Sequence, residues 1–480
     1  MSLYGDIQVT NRPDLENVRK LDLLPVPMVR RMMQYGIAID KGYFADLGIR
    51  LEREARYLRE EICEVIPPDR LEEFISRSNL IGDDDYLPMN VGSSDQLATL
   101  LFDVLKVGQG KPLKMTPSGS RVSTGKKQLE GLKREHPVIQ KVLDYRERMK
   151  LKSTYCDALP KLARHHPAGS CWCGLKHYGA TDRVHAEVLD TRTETGRLAT
   201  KNPNLQNIPS RTALGRELRK GFVASPGTRL VSADFSQEEM RIGSHYSQDA
   251  NLIRIFKLGI DPHNETAKLA FNTQTPDYIT QRTPSRNVNF GVFYGLGGPG
   301  LFDMMCVTYA TANLPLPPEI DVAWCERFIE RWFNEWYPGV KGYIEDQFYR
   351  ARRYGVVWTL FGRVRKVPEV QSALPHIRAA GLRQAANMPV QGTGADWMRL
   401  TMGEMEEVHE DLRKRNVWVQ PLVSIHDELL SEVEEEWAEV VGDMTAATMM
   451  NVMLDRDSSE SYLRVPVEAE SKIMSRWSKG

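Results

Sequence analysis

At 480 residues the chain exceeds what one ordinary hydrophobic core sustains, so two or three packed subdomains sharing a cleft are expected. Its 41% hydrophobic and 26% charged residues fit a globular protein in water; no apolar run approaches the about 20 residues of a membrane span, and the polar start MSLYGDIQVTNRPDLENVRK carries no secretory signal. The net charge of −1 singles out no partner, and six irregularly spread cysteines exclude a disulfide framework and point to a reducing, cytoplasmic compartment.

Leu24, Met28 and Met32, then Leu47, Leu51 and Leu58, recur at helical spacing and predict helices across residues 21–62. Asp83, Asp84 and Asp85 form an acidic loop with no strand around it. Over 90–105 an amphipathic run follows Ser93 and Ser94, either of which can accept a hydrogen bond from a first-turn N–H and cap a helix. A further long helix is predicted over 137–162. Between Lys111 and Arg164 stand 14 Lys or Arg against 5 Asp or Glu, along this helix pair and its connection GSRVSTGKK. A solvated helical face and a phosphate-binding surface both explain such a run.

The loop RHHPAGSCWCGLKH gathers His165, His166, Cys171, Cys173 and His177. Cys-x-Cys spacing is unusual for structural zinc, so a surface insertion is the preferred reading, with metal analysis of chelator-washed protein as the arbiter. Next, GTRLVSADF predicts a short strand through Leu230, Val231 and Ala233 that stops at Asp234, and VQPLVSIHDELLSEV predicts strand around His426, Asp427 and Glu428. Between them helices are predicted over 250–256, 287–294, 322–337 and 378–386, punctuated by GLGGPG at 295–300. A lone Asp at a strand end commonly caps a turn. Two of them from separate strands, facing a carbonyl and substrate phosphates, supply the hard oxygens that Mg²⁺ takes while keeping its water.

SADFSQEEMRIGSHYS resembles motif A of the family A DNA polymerases, the bacterial polymerase I type; RTPSRNVNFGVFYG is similar to their motif B and SIHDELLSEV to motif C. LKSTYCDALP, TGRLATKNPNLQNIPSR, DPHNETA, YPGVKGY and RQAANMPVQGTGAD fall in the family's order, so the likeness runs from about residue 21 to the end. It implies an α+β right-hand polymerase fold with an antiparallel β palm and largely helical thumb and fingers. The implied divisions are 1–90, an N-terminal segment and helices at the palm base; 91–180, thumb; 181–249, first palm part with motif A; 250–375, fingers with motif B; and 376–480, second palm part with motif C. The activity implied is template-directed addition of dNTPs to a primer 3′-hydroxyl in a bacterial or phage-infected cell, by a monomer on primer–template DNA. No nuclease activity is expected of this polypeptide; a processivity or exonuclease partner would come on another chain.

By the same likeness Asp234 and Asp427, with the carbonyl of Phe235, would hold two Mg²⁺ ions, for which Mn²⁺ can substitute, and Glu428 would stand beside them as an auxiliary catalytic carboxylate. Ions about 4 Å apart can activate the attacking hydroxyl and support the leaving oxygen. Glu239 with Phe290 would exclude a ribose 2′-hydroxyl. Arg282, Arg286, Phe290 and Tyr294, four residues apart, would face the incoming nucleotide together with His263 and Gln237. The family usually carries Lys where this chain has Arg286; a guanidinium offers charge and paired hydrogen bonds but is a poor proton donor, so an electrostatic role is expected of it. Arg197, Asn204, Gln206, Asn207 and Arg211, and Arg241, Arg383, Asn387, Gln391 and His426, would contact DNA near the primer end, testing minor-groove acceptors common to every base pair. Lys150 and Lys152 on the thumb would contact its phosphates. Single-subunit RNA polymerases and reverse transcriptases share the aspartate pair. Glu239, and Glu428 after His426-Asp427, disfavour the first and the motif B helix the second; a catalytically silent DNA-binding protein of the same fold is the remaining alternative.

Overall fold

Helix α1 (Lys41–Cys63) begins where the Asp40 side chain accepts a hydrogen bond from the Tyr43 N–H at 2.9 Å, and it buries Phe44, Leu47, Leu51, Ala55 and Ile62 along one stripe. Helix α2 (Val138–Leu151) packs on it through Val138, Ile139, Val142 and Leu151, and Arg148 reaches Glu54 at 2.7 Å. The helix expected over 137–162 is thus broken: a π-type turn occupies Lys152–Cys156 before a short helix at Ala158–Leu162. Of the two candidate caps near 90, Ser93 is the one used; its hydroxyl accepts from the Gln96 N–H. Helix α3 (Ala213–Arg219) completes this unit, and Gly221 just beyond it has no room for a side chain, since a Cβ there would stand 2.4 Å from the Phe44 ring.

The computed structural model describes residues 7–72, 74, 89–110, 113–116, 118–133, 135–190, 192–210, 212–292, 295–312, 314–454 and 461–478. The acidic loop at Asp83, Asp84 and Asp85 lies outside them, as do Arg211 and Tyr294. Packing divides the chain into two units: the one above, Ile39–Arg164 with Pro209–Phe222 and Ser478–Gly480, and a larger one made of Met1–Ala38, His165–Ile208 and Val223–Trp477. Segments 1–90 and 91–180 are each distributed across that division. Among the described residues no helix is long and apolar enough to cross a membrane.

In the larger unit, short strands β1 (Gly169–Ser170) and β2 (Lys176–His177) form a small hairpin. The main sheet follows, from β3 (Thr228–Phe235), β4 (Val419–Ile425), β5 (Glu428–Glu434) and β6 (Ala469–Met474), in the order β4-β5-β3-β6 with all neighbours antiparallel. All seven residues of β4 and six of β5 are buried, so these strands are covered on both faces, Glu428 and Glu432 of β5 included. The β4–β5 register skips between Pro421 and Val423, leaving Leu422 as an extra residue in β4.

Helix α4 (Glu238–Ser247) leaves the end of β3 through Gln237, which sits in the left-handed region at φ 54°. Helices α5 (Pro262–Phe271) and α6 (Thr283–Gly291) pair with each other, and α7 (Pro338–Tyr354) packs on α8 (Pro375–Lys414). Helix α8 runs far past the segment predicted over 378–386; it continues through Pro389, Gly392 and Gly394 because residues 392–403 are buried on every side, and tertiary packing outweighs the low propensity of those residues. Helix α9 (Ala438–Asn451) covers β3 and β6. Trp397 of α8 lies against Phe235 with ring centroids 4.5 Å apart, fixing α8 under the end of β3; burying such a side chain contributes about 1.5–3 kcal/mol.

Candidate active site

Asp234 is the penultimate residue of β3 and Asp427 the second residue of the two-residue turn between β4 and β5. Hydrogen bonding between these strands puts Glu428 opposite Asp234, and the Phe235 N–H donates to the Asp427 carbonyl at 3.1 Å. The two aspartates therefore leave neighbouring strands at the same end of the sheet. His426, exposed in the turn, takes φ 56°, which lets β4 reverse into β5 within two residues.

Glu428 is 1% exposed, and its Oε1 accepts from the Ser232 hydroxyl at 2.6 Å and the Trp477 indole N–H at 2.9 Å. Held this way, it braces β3 against the chain end. The sequence reading passed over Glu238, one residue before Glu239. Burial pushes its carboxyl well above the usual range; Asp427, Glu239 and Asp234 add to the rise and Arg197 opposes it. Gly394 makes the space: a Cβ there would meet Glu238 Oε2 at 2.8 Å. No local pattern announces this burial, which depends on the missing side chain of Gly394 in the distant helix α8.

Glu239 Oε1 receives Arg197 Nη2 at 2.8 Å, both side chains being about one-quarter exposed or less. Asp234, Asp427, Glu238 and Glu239 thus converge, with Arg197 opposing their charge. A set of hard carboxylate oxygens carrying excess negative charge fits a divalent cation.

On the helical side, Arg286 is exposed on α6, 5.9 Å from the centre of the Phe290 ring one turn on, so these two share a face. Arg282 lies just before α6 and is held by Asp261, which accepts from it at 2.5 Å on one oxygen while capping α5 with the other. His263, 2% exposed and 5.5 Å from the Phe290 ring, is driven down to about 4 by burial, with Arg282 and Arg286 adding to the drop against Asp261. Its Nδ1 takes a hydrogen bond from the Asn289 amide at 3.1 Å, which leaves Nε2 as the protonated nitrogen. This histidine can offer a phosphate a neutral N–H donor, not a cation.

Of the expected DNA contacts, Asn204, Asn207 and Arg383 are exposed; Gln206, Asn387 and Gln391 are half-buried, Gln206 donating to the Ser424 carbonyl at 3.4 Å. Arg197, Gln206 and His426 line one small pocket together with Met398 and Arg399 of α8. One expected contact needs correction. Arg241 is 3% exposed, and its guanidinium donates to the carbonyls of Ser236 and Pro466 and to Glu468, so it ties the C-terminal segment to α4 and is not presented to DNA. Lys152 is paired with Asp157 at 2.9 Å, which raises its ammonium above the usual lysine value, whereas Lys150 beside it is exposed.

Residues 74–479 match the model of DNA polymerase family A. The thermostable DNA polymerase I of Thermus aquaticus is 39% identical over 437 residues, covering 90% of this chain and 46% of that protein, and the one from Thermus thermophilus is 37% identical over 454 residues, covering 94% and 47%. DNA polymerase I of Deinococcus radiodurans is 35% identical over 93% of this chain and 40% of its own length. The chain thus spans about half the length of the curated relatives it matches. A solved structure, the POL domain of Pol1 from M. smegmatis in complex with DNA primer-template and dNTP, superposes with a TM-score of 0.74 at 28% identity, covering 96% of this chain and 72% of that one. The α+β polymerase fold is shared, and with paired aspartates at the end of an antiparallel sheet and a family match over most of its length, this chain belongs to DNA polymerase family A.

Proposed function

We propose that the chain is a template-directed DNA polymerase that adds deoxynucleotides from dNTPs to a primer 3′-hydroxyl, with Asp234, Asp427 and the Phe235 carbonyl holding two Mg²⁺ ions. The observation that carries this reading is the antiparallel pairing of β3 and β5, which brings Asp234 beside the Asp427 turn. When bound, the ions would lower the pKa of the attacking hydroxyl and neutralise charge on the leaving pyrophosphate. Glu428, its Oε1 held by Ser232 and Trp477, would stand beside the ions as an auxiliary carboxylate and brace the strand ends.

The helical face of α6 would receive the triphosphate. Arg286 is exposed for a paired hydrogen bond to phosphate oxygens, and Arg282 would exchange or share Asp261 on doing so. His263 would add its Nε2–H, and Phe290 would stack beneath the sugar and base. Glu239, braced by Arg197, would stand against the 2′ edge of the sugar and reject a ribose. The exposed Asn204, Asn207, Arg383 and Lys150 would meet the primer–template; Gln206 and His426 flank the same pocket as Arg197 and would lie at the primer end.

Primer extension with dNTPs and, separately, rNTPs tests this, using the wild type, Asp234→Asn and Asp427→Asn. Extension with dNTPs alone, reduced at least about 10³-fold in each variant, is expected, because removing one charge from a preorganised site forfeits several kcal/mol at the transition state. Wild-type protein that binds primed DNA without extending it would favour a silent DNA-binding protein. Equal use of rNTPs would favour an RNA polymerase.

A further inference from the structure

The hairpin β1–β2 makes almost no apolar core, yet it buries two histidines completely. His166 is 0% and His177 1% exposed. Ligand atoms of His166, Cys171, Cys173 and His177 all lie within 4.8 Å of one another; His166 Nδ1 stands 3.1 Å from Cys171 Sγ, and His177 Nε2 3.1 Å from Cys173 Sγ. Donors about 2.0–2.3 Å from one tetrahedral ion are about 3.3–3.8 Å apart, so the shorter pairs need to open by well under an ångström and the widest to close by about one to enclose an ion.

The local backbone explains why widely spaced letters meet. Gly169 pairs with His177 and Ser170 with Lys176, and the Gly174 N–H returns to the Cys171 carbonyl at 3.0 Å, so the Cys-x-Cys segment folds over the two imidazoles. A second set of contacts orients the rings. His185 Nδ1 lies 3.0 Å from the Met33 carbonyl, which can only accept, so that nitrogen carries the proton and His185 Nε2 is left as an acceptor. His166 Nε2 is 2.9 Å from it and must donate, which turns the lone pair of His166 Nδ1 toward Cys171. Gly36 makes the approach of His185 possible; a Cβ there would come within 2.9 Å of its ring. Tyr35 stacks on His177 with centroids 4.6 Å apart and planes at 13°, fixing that ring too. A hydrogen-bonded partner behind a ligand histidine is the usual accompaniment of a metal site.

We propose that His166, Cys171, Cys173 and His177 bind one structural zinc ion, a site separate from the carboxylates of the polymerase centre and independent of the activity assigned there. Two thiolates and two imidazoles close the coordination shell, so no position is left for a substrate. Binding releases the two thiol protons and clamps the insertion between the strand ends and Tyr35.

The test is elemental analysis of the full chain, expressed in zinc-replete medium and washed with a weak chelator. About one zinc per chain is expected, falling to near zero in Cys171→Ser/Cys173→Ser. Should that variant fail to fold, wild-type protein produced with Co²⁺ reads the same question: tetrahedral cobalt on two thiolates shows intense visible bands and a sulfur-to-metal charge-transfer band, which cobalt on carboxylates lacks. His185→Ala is expected to weaken zinc about 10–100-fold in competition with a chromophoric chelator. Washed wild-type protein holding less than a tenth of an equivalent of zinc, a cobalt form without the thiolate band, or zinc retained in full by the double variant would each overturn the site.

Discussion

Arg183→Leu is the most informative change to the scaffold that carries Asp427. Arg183 and Glu432 are both fully buried and meet at 2.5 Å; the guanidinium also donates to the Gly36 carbonyl and to the hydroxyls of Thr181 and Ser225, and lies 3.9 Å over the Tyr35 ring. Leucine fills much of the space but leaves the Glu432 carboxylate facing neutral donors, among them the Ser225 N–H at 2.5 Å and the Thr228 hydroxyl at 2.8 Å. An uncompensated buried charge costs about 3–5 kcal/mol. With an unfolding entropy of about 0.6 kcal/mol/K for a unit of roughly three hundred residues, the melting temperature should fall by about 5–8 °C. The pH dependence carries a sign. Burial pushes the Glu432 carboxyl up, but Arg183 and Ser225 outweigh it and hold the group below the usual range. In the wild type its stabilisation is therefore present above the unfolded carboxylate value and lost as pH falls through the folded one. In R183L the neutral donors of Ser225 and Thr228 oppose burial without a facing charge, so the carboxyl takes up a proton more readily on acidification and the deficit, full at pH 8, should shrink toward pH 5. R183L/E432M should recover most of the loss, since an apolar pair of similar volume replaces a buried ion pair at little cost. Calorimetric scans of the three proteins at both pH values decide it. A single variant melting within a degree of wild type at pH 8, or a double variant no better than the single, would refute the reasoning.

Glu239→Ala should raise the kcat/KM for a ribonucleotide relative to its deoxy counterpart by about 10²-fold, and Arg197→Met should move the ratio the same way by less, because Arg197 holds the carboxylate at 2.8 Å; an unchanged ratio removes Glu239 as the sugar gate. Glu238, its carboxyl raised by burial and by Asp427, binds a proton more readily folded than unfolded, so the wild type loses stability as pH rises above the unfolded value. Glu238→Gln escapes that loss, and in chelator its melting advantage should widen from pH 5 to pH 8; a constant difference would show that Glu238 is ionised. Arg286→Lys puts an ionisable ammonium on the exposed face of α6, and a change in turnover and in the alkaline limb of its pH profile is expected. If both stay as in the wild type, the capacity to donate a proton is unimportant at this position.

Much of the site was legible because it is written in short-range patterns. Apolar residues ending abruptly at Asp234, and again around His426-Asp427, predict strands that stop at a carboxylate, and in the structure antiparallel pairing joins them. Side-chain chemistry marks Ser93 and Ser94 equally as caps, and the structure selects Ser93. What stayed hidden depends on partners distant in sequence. The charge of Arg241 says nothing of Pro466 and Glu468, which absorb it, nor does that of Lys152 reveal Asp157. Glycines and a proline obscure the middle of α8, whose helical state is set by burial from all sides. Burial of His166 and His177 rests on Tyr35, Met33 and His185, none of which the Cys-x-Cys spacing announces.

The extra residue at Leu422 has a consequence for how this hairpin tolerates change. Side chains in a strand alternate faces, so without the bulge every position between Val423 and Ile425 would slide one step against Leu430, Leu429 and Glu428, and the turn would carry its acid to the wrong side. Substitutions along β4 that keep the backbone count are absorbed locally as packing defects. A residue inserted between Leu422 and the turn acts instead on alignment, pushing Asp427 away from Phe235 while leaving the composition of the core almost untouched, whereas loss of Leu422 itself would keep Pro421 opposite Ser431 and Val423 opposite Leu430.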